Sequence, residues 1–264
     1  MSGQLEMRKG YRFPEEKKLG SRSEIRVPKS LEDGMELAKD TEDEVKAYGE
    51  DILRAINDAF GKSKCEFKFN LKKEKRARQK LADKYEGDLS RMEDLARCRI
   101  SCDTIEQMNF IKKYIAMTAD TVRMEDRLQE PNQRGYRDLK YTLVASNGLK
   151  FEMQINVHEL VDAGKRAHVP YEKIRDITGR TKDRELTKEE KREIKLLEEQ
   201  CRYFYARGVA AYNRRTKGEK LKVQTVHDGT RARKARNDGK TNKASKKGNN
   251  IQRQNMRGGR GGRG

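Results

Sequence analysis

Apolar residues recur at helical spacing from Val45 through Tyr48, Ile52, Ala55 and Ile56 to Phe60. Thr41 and Glu44 stand where a capping box would open that helix. The run CEFKFN (65–70) alternates instead and predicts a short strand. LKKEKRARQKLADKY (71–85) predicts a strongly basic helix. Alternation returns in ARCRISC (96–102), which places Cys98, Ile100 and Cys102 on one face. TIEQMNFIKKYIAM (104–117) reads as an amphipathic helix and DTVRMEDR (120–127) as a strand. Two alternating runs then flank Asn147-Gly148, a strong short-range hairpin signal. The first carries Leu139, Tyr141 and Leu143 on one face; the second carries Leu149, Phe151, Met153 and Ile155. A helix from Val157 towards Ala167 is predicted to close the domain. Another starts after Thr187, with Glu190 completing its capping box and Ile194, Leu197, Cys201 and Phe204 as its stripe. The expected fold class is α+β: a mixed sheet flanked by helices, with an uncovered polar face on at least one hairpin.

Charge changes this picture at the end of the chain. The 264 residues are 33% apolar and 40% charged, with a formal charge of +19. From Asn213 onward there are seventeen Lys and Arg against three Asp and Glu, and the last residues read RGGRGGRG. Such a composition cannot bury enough apolar surface to order itself. The expected organisation is a flexible segment at 1–30, one domain at 31–212 and a disordered Lys/Arg/Gly-rich tail at 213–264. Four cysteines without a CxxC fit a reducing compartment better than a disulfide framework. Cys98 and Cys102 share a strand face with Ile100, which favours a buried apolar role over a metal pair. Neither a leader-type apolar region at the first residues nor a membrane-spanning apolar run is present. A cytoplasmic location is expected, with export by a route that uses no signal left open.

The second hairpin strand raises the question of chemistry. Period two projects Glu152, Gln154 and Asn156 together from the face opposite Phe151, Met153 and Ile155. A wet sheet face would ordinarily carry Lys, Thr or Ser. A second carboxylate, Asp94, stands just before ARCRISC. If those two strands are neighbours, Asp94 and Glu152 can share a divalent metal, because two carboxylates plus phosphate oxygens commonly hold Mg²⁺. Lys72, Arg76 and Lys80 are spaced four and four, so as a helix they form one cationic row suited to a polyphosphate. Alone, such a row is a solvated face. Tyr136, after Gly135, is equally a core residue or a stacking platform for a base.

The ordered set KKEKRARQK, DLARCRI, GYRDL, FEMQI and AHVPYEKIR, between about residues 66 and 175, resembles the synthetase domain of the RelA/SpoT family. Several motifs in the right order are more specific than any one of them. The resemblance implies a nucleotidyltransferase-like fold and transfer of pyrophosphate from ATP to the 3′-hydroxyl of a nucleotide, which makes guanosine tetraphosphate-type alarmones. It implies Mg²⁺ as cofactor, with Asp94 and Glu152 as metal ligands and catalytic carboxylates. Lys72 and Lys80 would bind ATP, and Arg76, Arg97 and Arg99 of this chain are expected to join them on its phosphates. Tyr136 would stack on the acceptor base, with Gln154, Asn156 and His168 beside the acceptor.

This sequence departs from the family pattern. Arg97 stands where the family has a glycine, Arg76 where it has a serine, Lys140 where it has a histidine and Asn156 where it has an arginine. Asp138 occupies the position before the usual leucine-histidine. These changes resemble the divergent, phage-linked and toxin-type branch, so the acceptor is left open among GDP or GTP, adenine nucleotides and the 3′ end of tRNA.

Two rival motifs fail. A P-loop around GKS (61–63) would need its first glycine at Ile56, inside a predicted helix. HDG (227–229) cannot open a histidine-rich hydrolase site in a chain with only three histidines. The tail reads either as a nucleic-acid-binding arm or as a solubilising end. The non-enzymatic alternative is an RNA-binding protein on a degenerate nucleotidyltransferase domain. Retention of both carboxylates argues against it, since negative charge repels phosphate.

Overall fold

The computed structural model describes residues 7–15, 19 and 24–223. Five strands form one mixed sheet: β1 (Glu66–Leu71), β2 (Ala96–Cys102), β3 (Thr121–Asp126), β4 (Leu139–Val144) and β5 (Lys150–Val157). Their order is β1-β2-β5-β4-β3, with β2 and β5 parallel and the other pairs antiparallel. Among the described residues six α-helices accompany them: α1 (Leu31–Asp40), α2 (Glu42–Phe60), α3 (Glu74–Tyr85), α4 (Ile105–Thr118), α5 (His158–Arg180) and α6 (Lys188–Arg215). This is the α+β class, a mixed sheet flanked by helices.

Register decides what each face carries. Phe69, Cys98, Met153 and Tyr141 pair across four strands, and so do Phe67, Ile100, Ile155 and Leu139. The β2, β5 and β4 members of both rows are buried, and α2 and α4 pack on this apolar face. Gly49 of α2 lets the helix close on β1, for a Cβ there would stand 2.3 Å from the Phe67 ring. The opposite rows are polar. Asn70, Arg97, Glu152 and Thr142 form one, and Lys68, Arg99, Gln154 and Lys140 form the next.

α5 and α6 form the longest helix pair. Gly208 brings them together, since a Cβ there would meet Ala163 Cβ at 2.9 Å and the Glu159 carbonyl at 3.0 Å. The Cys201 thiol donates to the Ala167 carbonyl at 3.6 Å, continuing the contact towards the other end. The face expected to be uncovered keeps its β1 members, Lys68 and Asn70, exposed. It floors a cleft whose wall is α5, and Asn156 is only 5% exposed.

Several local expectations change. Helix α1 has no counterpart in the sequence reading; Ser30 caps it by accepting from the Asp33 N–H. Thr41 makes no side-chain cap for α2, because its backbone already closes α1 and its hydroxyl donates to the Ala38 carbonyl. Glu44 reaches instead to the Ser146 N–H and hydroxyl in the hairpin turn. The capping box at Thr187 and Glu190 forms as expected. Helix α5 runs to Arg180, through Pro170, well past Ala167.

Within the expected flexible 1–30 segment, Tyr11 and Phe13 pack on Phe110, and Leu19 is 1% exposed. The boundary expected at 213 falls inside α6. Residues 216–223 then fold back: Leu221 is buried, its N–H donates to Asn213, and the Lys222 N–H donates to Gln129. From residue 224 onward the expected tail lies outside the described residues. Among the described residues, no helix is long and apolar enough to cross a membrane.

Candidate active site

The two polar rows, α3 and α5 enclose a cleft of about 1340 Å³. Thirteen Lys and Arg line it against five Asp and Glu, so it attracts polyanions. Parallel pairing of β2 with β5 sets Arg97 directly beside Glu152 and Arg99 beside Gln154. On the other side of β5, Lys140 pairs with Gln154 and Thr142 with Glu152.

Asp94 enters two residues ahead of β2. The preceding chain is clamped here, because the Lys72 N–H donates to the Leu95 carbonyl at 2.8 Å. Asp94 Oδ2 accepts from Lys72 Nζ at 2.6 Å and lies 2.8 Å from Lys80 Nζ. Burial pushes the Asp94 carboxyl up, but the two ammonium groups outweigh it and hold it below its ordinary value. The Lys72 ammonium is lowered by burial, which its Asp94 partner does not fully offset. Lys80, although burial opposes it, is raised by Asp94.

Glu152 behaves in the opposite way. Burial raises its carboxyl and the charge of Asp94 raises it further, so the two carboxylates sense each other across the cleft floor. Gln154 donates to Glu152 Oε1 at 2.8 Å, and Lys140 Nζ lies 3.9 Å from Oε2.

The other oxygen of Asp94, Oδ1, is buried with no hydrogen-bond partner among the described residues. A buried carboxylate oxygen left open is costly unless a cation or donor meets it. This pair fits a divalent ion that takes its remaining ligands from phosphate and water. Among the described residues, no group of three or more His, Cys, Asp or Glu is arranged to hold a metal by itself.

The cationic wall differs in one respect from the sequence reading. α3 begins at Glu74, so Lys72 is not on its face; it sits in the link from β1. It still meets Lys80, because both converge on Asp94. Arg76 points across the cleft and donates to Glu172 of α5 at 2.8 Å. Arg97 and Arg99 project from the floor, and the buried Arg99 Nε has no hydrogen-bond partner.

On the far side, Tyr136 lines the cleft half-buried. Its hydroxyl donates to Asp138 Oδ2 at 2.7 Å. The Arg127 guanidinium lies over its ring at 5.2 Å, and Tyr205 meets it edge-on at 5.7 Å. Asp138, fully buried, also accepts from Arg127 Nε at 2.8 Å, yet burial keeps its carboxyl above the ordinary value. The Tyr136 ring thus lines the cleft while Asp138 fixes its hydroxyl.

Asn156 also lines the cleft, but its side chain serves the backbone. Its amide donates to the Arg137 carbonyl, and its Oδ1 accepts from the Val157 N–H. Its position is fixed by the fold, which leaves Gln154 the freer amide. His168, 65% exposed, lies on the rim 3.8 Å from Glu172.

Arg127, Arg134, Lys140, Glu172 and Tyr205 also line the cleft and were not among the expected site residues. Lys140 follows GYRDL, Arg134 precedes it and Glu172 lies inside AHVPYEKIR, whereas Arg127 and Tyr205 stand in no such motif.

Residues 70–176 match the family model described as "Region found in RelA / SpoT proteins". A search of curated proteins gives no significant match. Among solved structures, the small alarmone synthetase 2 from Bacillus subtilis is similar, with a TM-score of 0.50 and 20% identity. That similarity covers 69% of this chain and 98% of that one. The Type VI effector Tas1, solved with its immunity protein, is also similar, with a TM-score of 0.50 and 20% identity over 72% of this chain and 100% of that one. At that identity the two structures speak for the fold.

Proposed function

From the premise that residues 70–176 form a RelA/SpoT-like domain, we propose that the protein transfers pyrophosphate from ATP to the 3′-hydroxyl of an acceptor nucleotide or RNA end. One observation carries this reading. Asp94, with a buried unpartnered oxygen, and Glu152, with a raised carboxyl, share one cleft floor inside a cationic wall.

Lys72, Arg76, Lys80, Arg97 and Arg99 hold the polyphosphate chain. Arg76 leaves Glu172 to do so, and Arg99 brings a donor that has no partner within the fold. Asp94 and Glu152 would hold Mg²⁺, which when bound supplies charge neutralisation to the phosphate oxygens. Tyr136, fixed by Asp138, supports the acceptor base, and Gln154 orients the acceptor ribose from the floor. The acceptor 3′-oxygen forms a bond to the β-phosphorus as the bridge from the α-phosphate breaks, and AMP leaves. Glu152 takes the hydroxyl proton, for which its raised affinity for protons suits it.

The test is to incubate the purified protein with Mg²⁺ and ATP labelled at its β-phosphate, offering GDP, GTP, ADP, ATP or tRNA in turn. Transfer to at least one acceptor, abolished by chelation and by Asp94→Ala or Glu152→Ala, is expected. Transfer that persists in either variant would sink the assigned site. If no acceptor is modified while RNA still binds, the protein is a binding module instead.

A further inference from the structure

Tyr171 stands on α5 at the rim of the cleft and is 38% exposed. Two guanidinium groups lie near its ring: Arg134 at 5.6 Å and Arg175 at 6.0 Å from the centroid. The His168 ring lies 6.4 Å away, tilted by 37°. These groups converge from separate elements. Arg175 and His168 belong to α5, whereas Arg134 comes from the loop before β4. That loop is seated by Gly135, whose positive φ of 81° suits a residue without a side chain; a Cβ there would lie 3.3 Å from Arg202 Cα and Tyr205 Cβ of α6.

An exposed tyrosine beside an arginine is common on helices and contributes about 0.5–1 kcal/mol as a surface cation–π contact. Tyr171 differs in its place, inside the lining of the cationic cleft. It also differs from Tyr136, whose hydroxyl is held by Asp138 and whose ring is packed by Arg127 and Tyr205. An aromatic ring flanked by planar cations suits a nucleobase, which stacks on the ring while the guanidinium groups meet its phosphate.

We infer that Tyr171, Arg134 and Arg175 form a second base-binding station, which takes the nucleobase of a phosphorylated nucleoside. This deepens the proposed function and rests on it: transfer between two nucleosides brings two bases into one cleft, and Tyr136 serves one of them. The base at Tyr171 comes either from a free nucleotide or from the end of an RNA chain; the chemistry of the station is the same for both.

Binding, not turnover, tests this. Fluorescence anisotropy is measured with labelled ATP, labelled GTP and a labelled short single-stranded oligoribonucleotide, with unlabelled tripolyphosphate as competitor. Stacking of one base makes Tyr171→Ala weaken at least one of these probes by about ten-fold, while Tyr171→Phe stays within about two-fold of the parent. Tripolyphosphate, which has no base, competes equally well in all three proteins. The probe that loses affinity identifies the source of the base. The station is refuted if Tyr171→Ala binds all three probes like the parent. It is refuted equally if Tyr171→Phe loses as much as Tyr171→Ala, or if tripolyphosphate weakens in parallel with the nucleotides. A chain that transfers no pyrophosphate still gives a result here, so the two readings fail separately.

Discussion

The Lys72 ammonium donates to Asp94 at 2.6 Å, and both side chains are only 10% exposed. At that separation the attraction is on the order of 5 kcal/mol for an effective dielectric of about 20, and desolvation offsets much of it. The pair is therefore most costly when half of it is removed. It ties the entrance of α3 to the entrance of β2, while the other Asp94 oxygen stays buried with no hydrogen-bond partner among the described residues.

Replacing Asp94 by Asn leaves Lys72 buried beside a neutral amide, with Lys80 also unpaired. A loss of about 3 kcal/mol is expected, or roughly 6–12 °C in Tm for a domain of this size. Glu152→Gln has the opposite physical sign. Burial already penalises the Glu152 charge, so this variant keeps or raises Tm. Both variants lose pyrophosphate transfer in the proposed reaction. Thermal denaturation of the two, side by side, separates the roles; equal destabilisation would contradict the raised Glu152 carboxyl.

The same shifts fix a pH dependence. In the metal-free protein burial and the Asp94 charge raise the Glu152 carboxyl, so protons compete with a divalent ion for it and activity falls away as the solution is acidified. Asp94 is held below 3.8, so it contributes stability that is fully present above 3.8 and lost as pH falls through its depressed value. Activity is thus expected to vanish on acidification before the fold does. A pH–rate profile beside a pH–Tm profile checks the order.

Residues 216–223 brace the segment that carries Tyr136. Arg137, 1% exposed, donates to the Leu128 carbonyl and, at 2.7 Å, to the Lys222 carbonyl. Its own carbonyl receives Asn156, and its neighbours in sequence are Tyr136 and Asp138. A chain ending at residue 215 loses the Lys222 acceptor and the buried Leu221. Relative to a chain ending at residue 223, it is expected to be about 3 kcal/mol less stable. Its KM for the acceptor is expected to rise more than its KM for ATP. Denaturant titration and steady-state kinetics of the two truncations would show this, and equal stability would mean the strap is ornamental.

Arg76 is half exposed, and its pair with Glu172 contributes no more than about 1 kcal/mol to stability. In the proposed reaction Glu172 would compete with ATP phosphate for that guanidinium. Glu172→Gln is expected to lower KM for ATP about three-fold, an effect of the size of one partly exposed ion pair. Arg76→Ala is expected to raise it. In the double variant the benefit of Glu172→Gln disappears, which a kinetic double-mutant cycle detects.

The sequence by itself determined the elements that depend on near neighbours. Period two in ARCRISC and FEMQI set which residues of β2 and β5 share a face, and Asn147-Gly148 set the β4–β5 hairpin, Gly148 lying at φ 83°. It also set the Thr187 cap. Where two helices abut at Thr41, local pattern failed, because one backbone position had to serve both ends. Lys72 failed for a related reason: its spacing fits a helix, but its N–H is taken by Leu95, far along the chain. What only tertiary structure decided is adjacency. Glu152 stands beside Arg97 because β2 and β5 pair in parallel, with α4, β3 and β4 between them in sequence. The close packing of α5 on α6, set by Gly208, decides which side chains face the sheet from above. Such pairings are chosen by burial of the opposite, apolar face, and no local spacing records them.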